Sequence, residues 1–249
     1  MTTENYAAEA EILKLARVLD VEPARLAYLA RVDADDLQAF REQVTDTLFD
    51  ANIGVLQRMA LAARLLPGGV LAKIAEKVFG PLLCARIAGV VDVARGVDVA
   101  KRLHPRFLAE VAAELDPRRA SAIISRIPLE TVLAVAAELT RKEDWITLGR
   151  FVGHLPDPTV RRALEKIDDP GLLRIAFVLD DKNRIDHVVG LLPADRLGRV
   201  LTAAGAAEDL WTPALDLLNH LSAERRGTLV PLLGGLPDGL RERAQATIK

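Results

Sequence analysis

The sequence predicts an all-α protein, a right-handed superhelical solenoid of short helices led by an N-terminal helical section. Half of its 249 residues are apolar, yet only 4% are aromatic. That balance, rich in Ala, Leu and Val, suits many small helix-packing faces better than a sandwich or barrel built on Tyr, Phe and Thr. Apolar residues recur at i, i+3, i+4 and i+7, the spacing that gathers side chains on one helical face. In the second half these stripes also repeat, and repetition at a few tens of residues is the mark of stacked helical units.

Taken in order, residues 5–19 and 22–31 read as helices, and residues 34 to about 66 as one longer helix. The last opens with "DADDLQAFREQ", an acidic first turn that suits the helix dipole. Pro67-Gly68-Gly69 ends it and Gly80-Pro81 breaks the next. "IAGVVDVARGVDVAKRL" then leads into the repeats, and the chain divides near residue 100, into sections 1–100 and 101–249, without a flexible linker.

Three segments of the second half align without gaps: "WITLGRFVGHL" ending at Leu155, "RIDHVVGLL" at Leu192 and "WTPALDLLNHL" at Leu221. Their stripes are Leu148, Phe151, Val152, Leu155, then Ile185, Val188, Val189, Leu192, then Ala214, Leu217, Leu218, Leu221. Each is preceded by an acidic pair (143/144, 180/181, 208/209) and followed by a helix-start signal. Asp116-Pro117, Asp157-Pro158 and Asp169-Pro170 each offer an N-cap acceptor before a proline at the first helical position, where its missing N–H costs nothing. Helices follow at about 105–115, 117–127, 129–140, 144–155, 157–167, 170–180, 182–192, 194–204, 207–221, 223–234 and 237–247. Helices this short need neighbours to be stable in water, which is the physical case for a solenoid.

Within this frame His154 and His220 are equivalent, each one residue before the leucine that ends its stripe. They read first as helix-packing residues. Arg119, Arg196 and Arg225 stand three residues past a helix start, with Thr159 filling the slot in between and Arg161, Arg162 and Arg199 nearby on the same helices. In a stacked repeat, equivalent positions form a ladder, and an arginine ladder would grip a carboxylate, a phosphate or an acidic partner segment. Trp145 and Trp211 each open a stripe helix and are candidate interface anchors. The acidic pairs read as helix caps before they read as a cation site.

The remaining chemistry is sparse. A net charge of −2 and a pI near 6.1 give no basic surface for nucleic acid. The single Cys84, set in "PLLCARIAGVV", reads as a buried, inert thiol. No strand-linked phosphate loop, H-E-x-x-H, paired cysteine or nucleophile elbow is present, so no catalytic residue, metal ligand or cofactor is assigned. The N-terminus is acidic and amphipathic, without the basic start and apolar run of a signal peptide, and no apolar run reaches the length of a membrane span. A cytoplasmic location follows as the expectation.

Residues 51–91 stand apart, with five basic residues and one acidic. One reading is a basic amphipathic hairpin that rests on a membrane surface or lines an apolar pocket for an acyl chain, with Leu56, Met59, Leu71 and Phe79 as its walls. The other is a core hairpin with solvated bases.

The stretch "RLHPRFLAEVAAELDPRRASAIISRIPLETVLAVAAEL", residues 102–139, resembles the helical repeats in the N-domain of MgtE-type magnesium channels and the related helical domains of the flagellar switch protein FliG. The shared cadence is a Leu-rich short helix, a proline and another short helix. The resemblance implies a HEAT- or armadillo-like superhelix with a regulatory or protein-contacting role, and no magnesium ligand carries over because no acidic motif matches. The sequence therefore predicts a non-catalytic helical-repeat adaptor or regulator that binds a protein partner. The alternative is a carrier or sensor of a hydrophobic small molecule held between the 51–91 hairpin and the repeats.

Overall fold

A computed structural model describes residues 6–193 and 195–248, with the side chain of residue 248 left aside. Every regular element among them is helical. Seventeen α-helices run in order: α1 Tyr6–Leu19, α2 Ala34–Asp50, α3 Ile53–Ala63, α4 Gly68–Ile74, α5 Gly80–Ala88, α6 Val93–Ala100, α7 Pro105–Glu114, α8 Pro117–Ile124 and α9 Leu129–Arg141. They continue with α10 Trp145–Val152, α11 Asp157–Leu164, α12 Asp169–Phe177, α13 Ile185–Val189, α14 Arg196–Ala203, α15 Trp211–Asn219, α16 Ala223–Leu229 and α17 Asp238–Ile248. Short 3₁₀ turns fill Pro23–Arg31 and several junctions, and Ala75–Phe79 is a π-helical turn.

The predicted long helix over 34–66 is two helices. Asn52 leaves helical geometry at φ −123° and ψ 12°. The Asn52 side chain makes no capping bond; the break lies in the backbone, at a residue of low helix propensity. The caps also differ in detail. Asp116 accepts from the Arg118 N–H at 3.0 Å as expected. At the other two Asp-Pro steps the aspartate is the first helical residue, and Asp168 caps α12 in place of Asp169 by accepting from Gly171 N–H at 2.9 Å. α6, which sequence periodicity did not assign, is capped by Asp92.

Contacts group the chain into two units whose boundaries do not fall at residue 100: Met1–Arg41 with Leu164–Lys249, and Glu42–Ala163. In the second, α3 packs on α5, α5 on α7, α7 on α9 and α9 on α10, while α4 packs on α6 and α6 on α8. Its core gathers Ala85, Ala100, Leu108, Val111, Leu115, Ala120 and Ile124. Small alanines where successive helices meet let their axes approach closely, which is why Gly96 faces the Ile123 methyl with no room for a Cβ.

In the first unit α1 presents Ala8, Ile12, Leu15 and Ala16 to Leu26 and Leu37. It also lies against α15, which in turn packs on α12 and α17. Every side chain from Pro213 to Leu218 is buried. The N-terminal helix is thus built into the C-terminal half of the sequence.

Candidate functional site

A buried charged cluster of the first unit joins α1, α2 and the turn after α12, and the sequence did not announce it. Glu11 and Lys14 occupy α1 beside its apolar stripe, and Lys14 is 1% exposed. Lys14 pairs with Glu11 and, at 2.9 Å, with Asp180. Arg41 of α2 pairs with the same two acids, at 2.9 Å to Glu11 and 3.0 Å to Asp180. Two acids and two bases alternate around a closed ring in which each charge has two opposite neighbours. Burying a charge is tolerable only when it is paired and hydrogen-bonded in this way.

A second clasp adjoins it. Lys182 donates to the Ala176 and Phe177 carbonyls, which end α12, and to the buried Asp216 of α15. Three donors meet three acceptors, so the ammonium has no hydrogen left over. Burial pushes the Lys182 amine below the ordinary lysine range, helped by the nearby Lys14 charge and opposed by Asp216 and Glu11. His220 Nδ1 lies 2.8 Å from the Asp216 carbonyl. A carbonyl only accepts, so Nδ1 carries the proton and the tautomer is fixed. The chemistry available here is cohesion: α12 receives a C-terminal cap and α15 is tied to it. A lysine nucleophile would need its lone pair, and every ammonium hydrogen is engaged.

Arg119 pairs with Asp46 at 2.8 Å and Asp50 at 3.2 Å and stacks over Phe49, 4.0 Å from the ring centre. Arg196 pairs with Asp169 at 2.8 Å and donates to the Ile167 carbonyl. Arg225 pairs with Asp186 at 3.0 Å. Arg199 is exposed beside Asp195 and Asp169, and Arg162 is exposed on α11. Arg119 belongs to one unit and Arg196 and Arg225 to the other, each engaged with acids of its own unit.

His154 and His220 both sit just past a helix end, half-buried. Trp145 opens α10 behind the Asp144 cap. Trp211 opens α15, and its indole lies so close to Gly239 that a Cβ there would meet it at 3.2 Å. Both tryptophans are half-buried.

The acidic pairs divide by role. Asp144 caps the Thr147 N–H and Asp181 caps Asn183, whereas Asp180 serves the buried ring and Asp209 pairs with Arg174. Among the described residues no group of three or more His, Cys, Asp or Glu is arranged to hold a metal ion. Of the four residues expected to wall an apolar pocket, Leu56 and Leu71 are buried, and Met59 and Phe79 are half-buried. One signal in the sequence could have revealed the ring: Glu11 sits at the i+3 position of the Ala8, Ile12, Leu15 stripe, where an unpaired carboxylate would be costly.

No protein family, curated protein or solved structure matches the chain. Among the described residues no helix is long and apolar enough to cross a membrane.

Proposed function

We propose that the chain is a non-catalytic, cytoplasmic helical-repeat adaptor that presents a stacked-helix surface to a protein partner. The observation that carries this reading is the packing order of residues 42–163. There the helices from α3 to α9 pack on the next but one, α3–α5–α7–α9 in one row and α4–α6–α8 in another. Two such rows are the arrangement by which HEAT- and armadillo-like solenoids expose a long face of equivalent positions. The buried charges support the same reading, because the ring and the Lys182 clasp spend their hydrogen bonds on each other and hold helices in place.

The test combines native mass with site-directed cross-linking. A photo-reactive residue at Arg162 or Arg199, both exposed, should capture one discrete partner that the same residue at exposed Gln245 does not. Equal, diffuse capture at all three sites would refute the adaptor. A native mass exceeding the chain, with the excess lost on denaturation and extractable into organic solvent, would replace it with the carrier.

A further inference from the structure

We infer that helices α3 to α5 form a docking surface for an anionic lipid membrane, a property that stands independently of the adaptor reading. Leu56 and Leu71 face the core. The outward side of the same segment is the unusual one. Val55, Leu61, Leu65, Leu66, Val70, Val78 and Leu82 are seven of the thirteen exposed large apolar side chains among the described residues, all within one short stretch. Leu65 is 86% exposed and Val78 73%. Exposed apolar residues are ordinary when scattered, but clustering of this kind marks an interaction surface.

The position of these residues on the helices follows a pattern. On α3, Val55, Arg58 and Ala62 recur at i, i+3 and i+7, and all three are exposed, as is Leu65 in the turn just past the helix. They share one face, which continues into the Leu65-Leu66-Pro67 turn. On α4 and the π-helical turn after it, Val70, Lys73 and Lys77 are all exposed. The turn ends at Gly80, whose φ of +74° is the left-handed geometry open to glycine, and α5 then exposes Leu82.

The charge decides what covers this surface. Arg58, Arg64, Lys73, Lys77 and Arg86 give residues 51–91 a net +4, so the rest of the chain carries −6. None of the five makes an ion pair among the described residues. Arg58 donates to the Gly54 carbonyl of its own helix, and Arg86 lies 5.8 Å from the Phe49 ring centre. The single acid, Glu76, accepts from the His104 N–H at 2.6 Å. Elsewhere arginines such as Arg41, Arg118 and Arg119 are neutralised by neighbouring acids. Here the positive charge is left for an external partner.

Anionic lipid fits better than an acidic protein. Protein interfaces draw their energy from Trp, Tyr and Arg anchors seated in pockets, with Leu and Val under-represented. This surface carries Leu and Val on short helices with Lys and Arg between them, the composition of a segment that lies in the headgroup region and dips its apolar residues to the acyl boundary. Each basic residue near an anionic leaflet contributes about a five-fold factor in partitioning, and the attraction is screened by salt.

The experiment is co-sedimentation of the full chain with vesicles of about three parts phosphatidylcholine to one part phosphatidylserine, beside vesicles of phosphatidylcholine alone. The expected result is binding to the anionic vesicles, at least ten-fold stronger than to the neutral ones and weakened by added salt. Lys73→Gln/Lys77→Gln should lower that binding by on the order of thirty-fold. Leu65→Glu/Val78→Glu should abolish it, and because both side chains face outward the far-UV circular dichroism should not change. Equal binding to both vesicles, or to neither, overturns the proposal. So does a dimer in light scattering that Leu65→Glu/Val78→Glu converts to monomer without any vesicle binding, an outcome that assigns the face to a second copy of the chain.

Discussion

Replacing Glu11 by Gln tests the buried ring directly, because it removes one charge while keeping the shape of the side chain. Lys14 and Arg41 would then share Asp180 alone, and the ring would hold a net positive charge at a site where Lys14 is 1% exposed. Breaking one partner of a buried pair costs about 3–5 kcal/mol, because the remaining charge is stranded without water. With a urea dependence of about 3 kcal/mol per molar, the midpoint of unfolding should fall by roughly 1–1.7 M. Trp211 lies in α15 of the same unit, so its fluorescence in a Trp145→Phe background reports the loss. Glu11→Leu/Lys14→Met restores parity, since Arg41 keeps Asp180, and should recover most of the stability. A midpoint shift under about 0.3 M for Glu11→Gln, roughly 1 kcal/mol on that slope, would refute the reasoning. A double variant no more stable than the single one would refute it as well.

Two further outcomes are expected. Burial pushes the Cys84 thiol up to about 11, and its Sγ–H points to the Ala75 carbonyl. Alkylation by iodoacetamide at pH 8 should therefore be about a hundred-fold slower in the folded chain than in urea, where the thiol regains its ordinary value; rates within three-fold of each other would contradict this. Burial raises the Asp186 carboxyl, but hydrogen bonds from the Ser222 N–H and the Arg225 guanidinium outweigh it and hold the carboxyl below its usual range. A depressed folded-state value contributes stability that is present above the unfolded value near 3.8 and is lost as pH falls through the folded one. Thermal melts should show Asp186→Asn less stable than the parent at about pH 6, with the gap closing as the pH falls below 3.8 and through the depressed folded value. A gap that is constant across that range would argue against the role.

Much of the local structure was legible. Each stretch expected to be helical from residue 105 onward contains an α-helix, because the signals that set them are local: an apolar stripe, an Asp or Ser acceptor, a proline in the first turn. The stretch 182–192 keeps only Ile185–Val189 as α-helix, and 207–221 and 223–234 are partly 3₁₀. The misses are also local competitions. "DAN" at 50–52 interrupts what periodicity alone would continue, and at 168–169 two adjacent aspartates could each cap α12, a choice made by backbone geometry at Asp168.

The candidate site was not legible, for a different reason. Asp180 and Asp181 are neighbours of one residue type, yet Asp181 caps a turn while Asp180 closes a charged ring. Asp180 and its partner Lys14 are 166 residues apart in sequence, and Arg41 is 139 from Asp180. The sequence by itself determined where the chain coils into helices and where the coils stop, since those preferences are fixed by neighbours within a turn or two. Tertiary structure alone decided which charges leave water together, that α1 is built against α15, and that the apolar side chains of α3 to α5 split into a buried set and an exposed one. Desolvation and pairing act on distance in space, and sequence separation does not encode it.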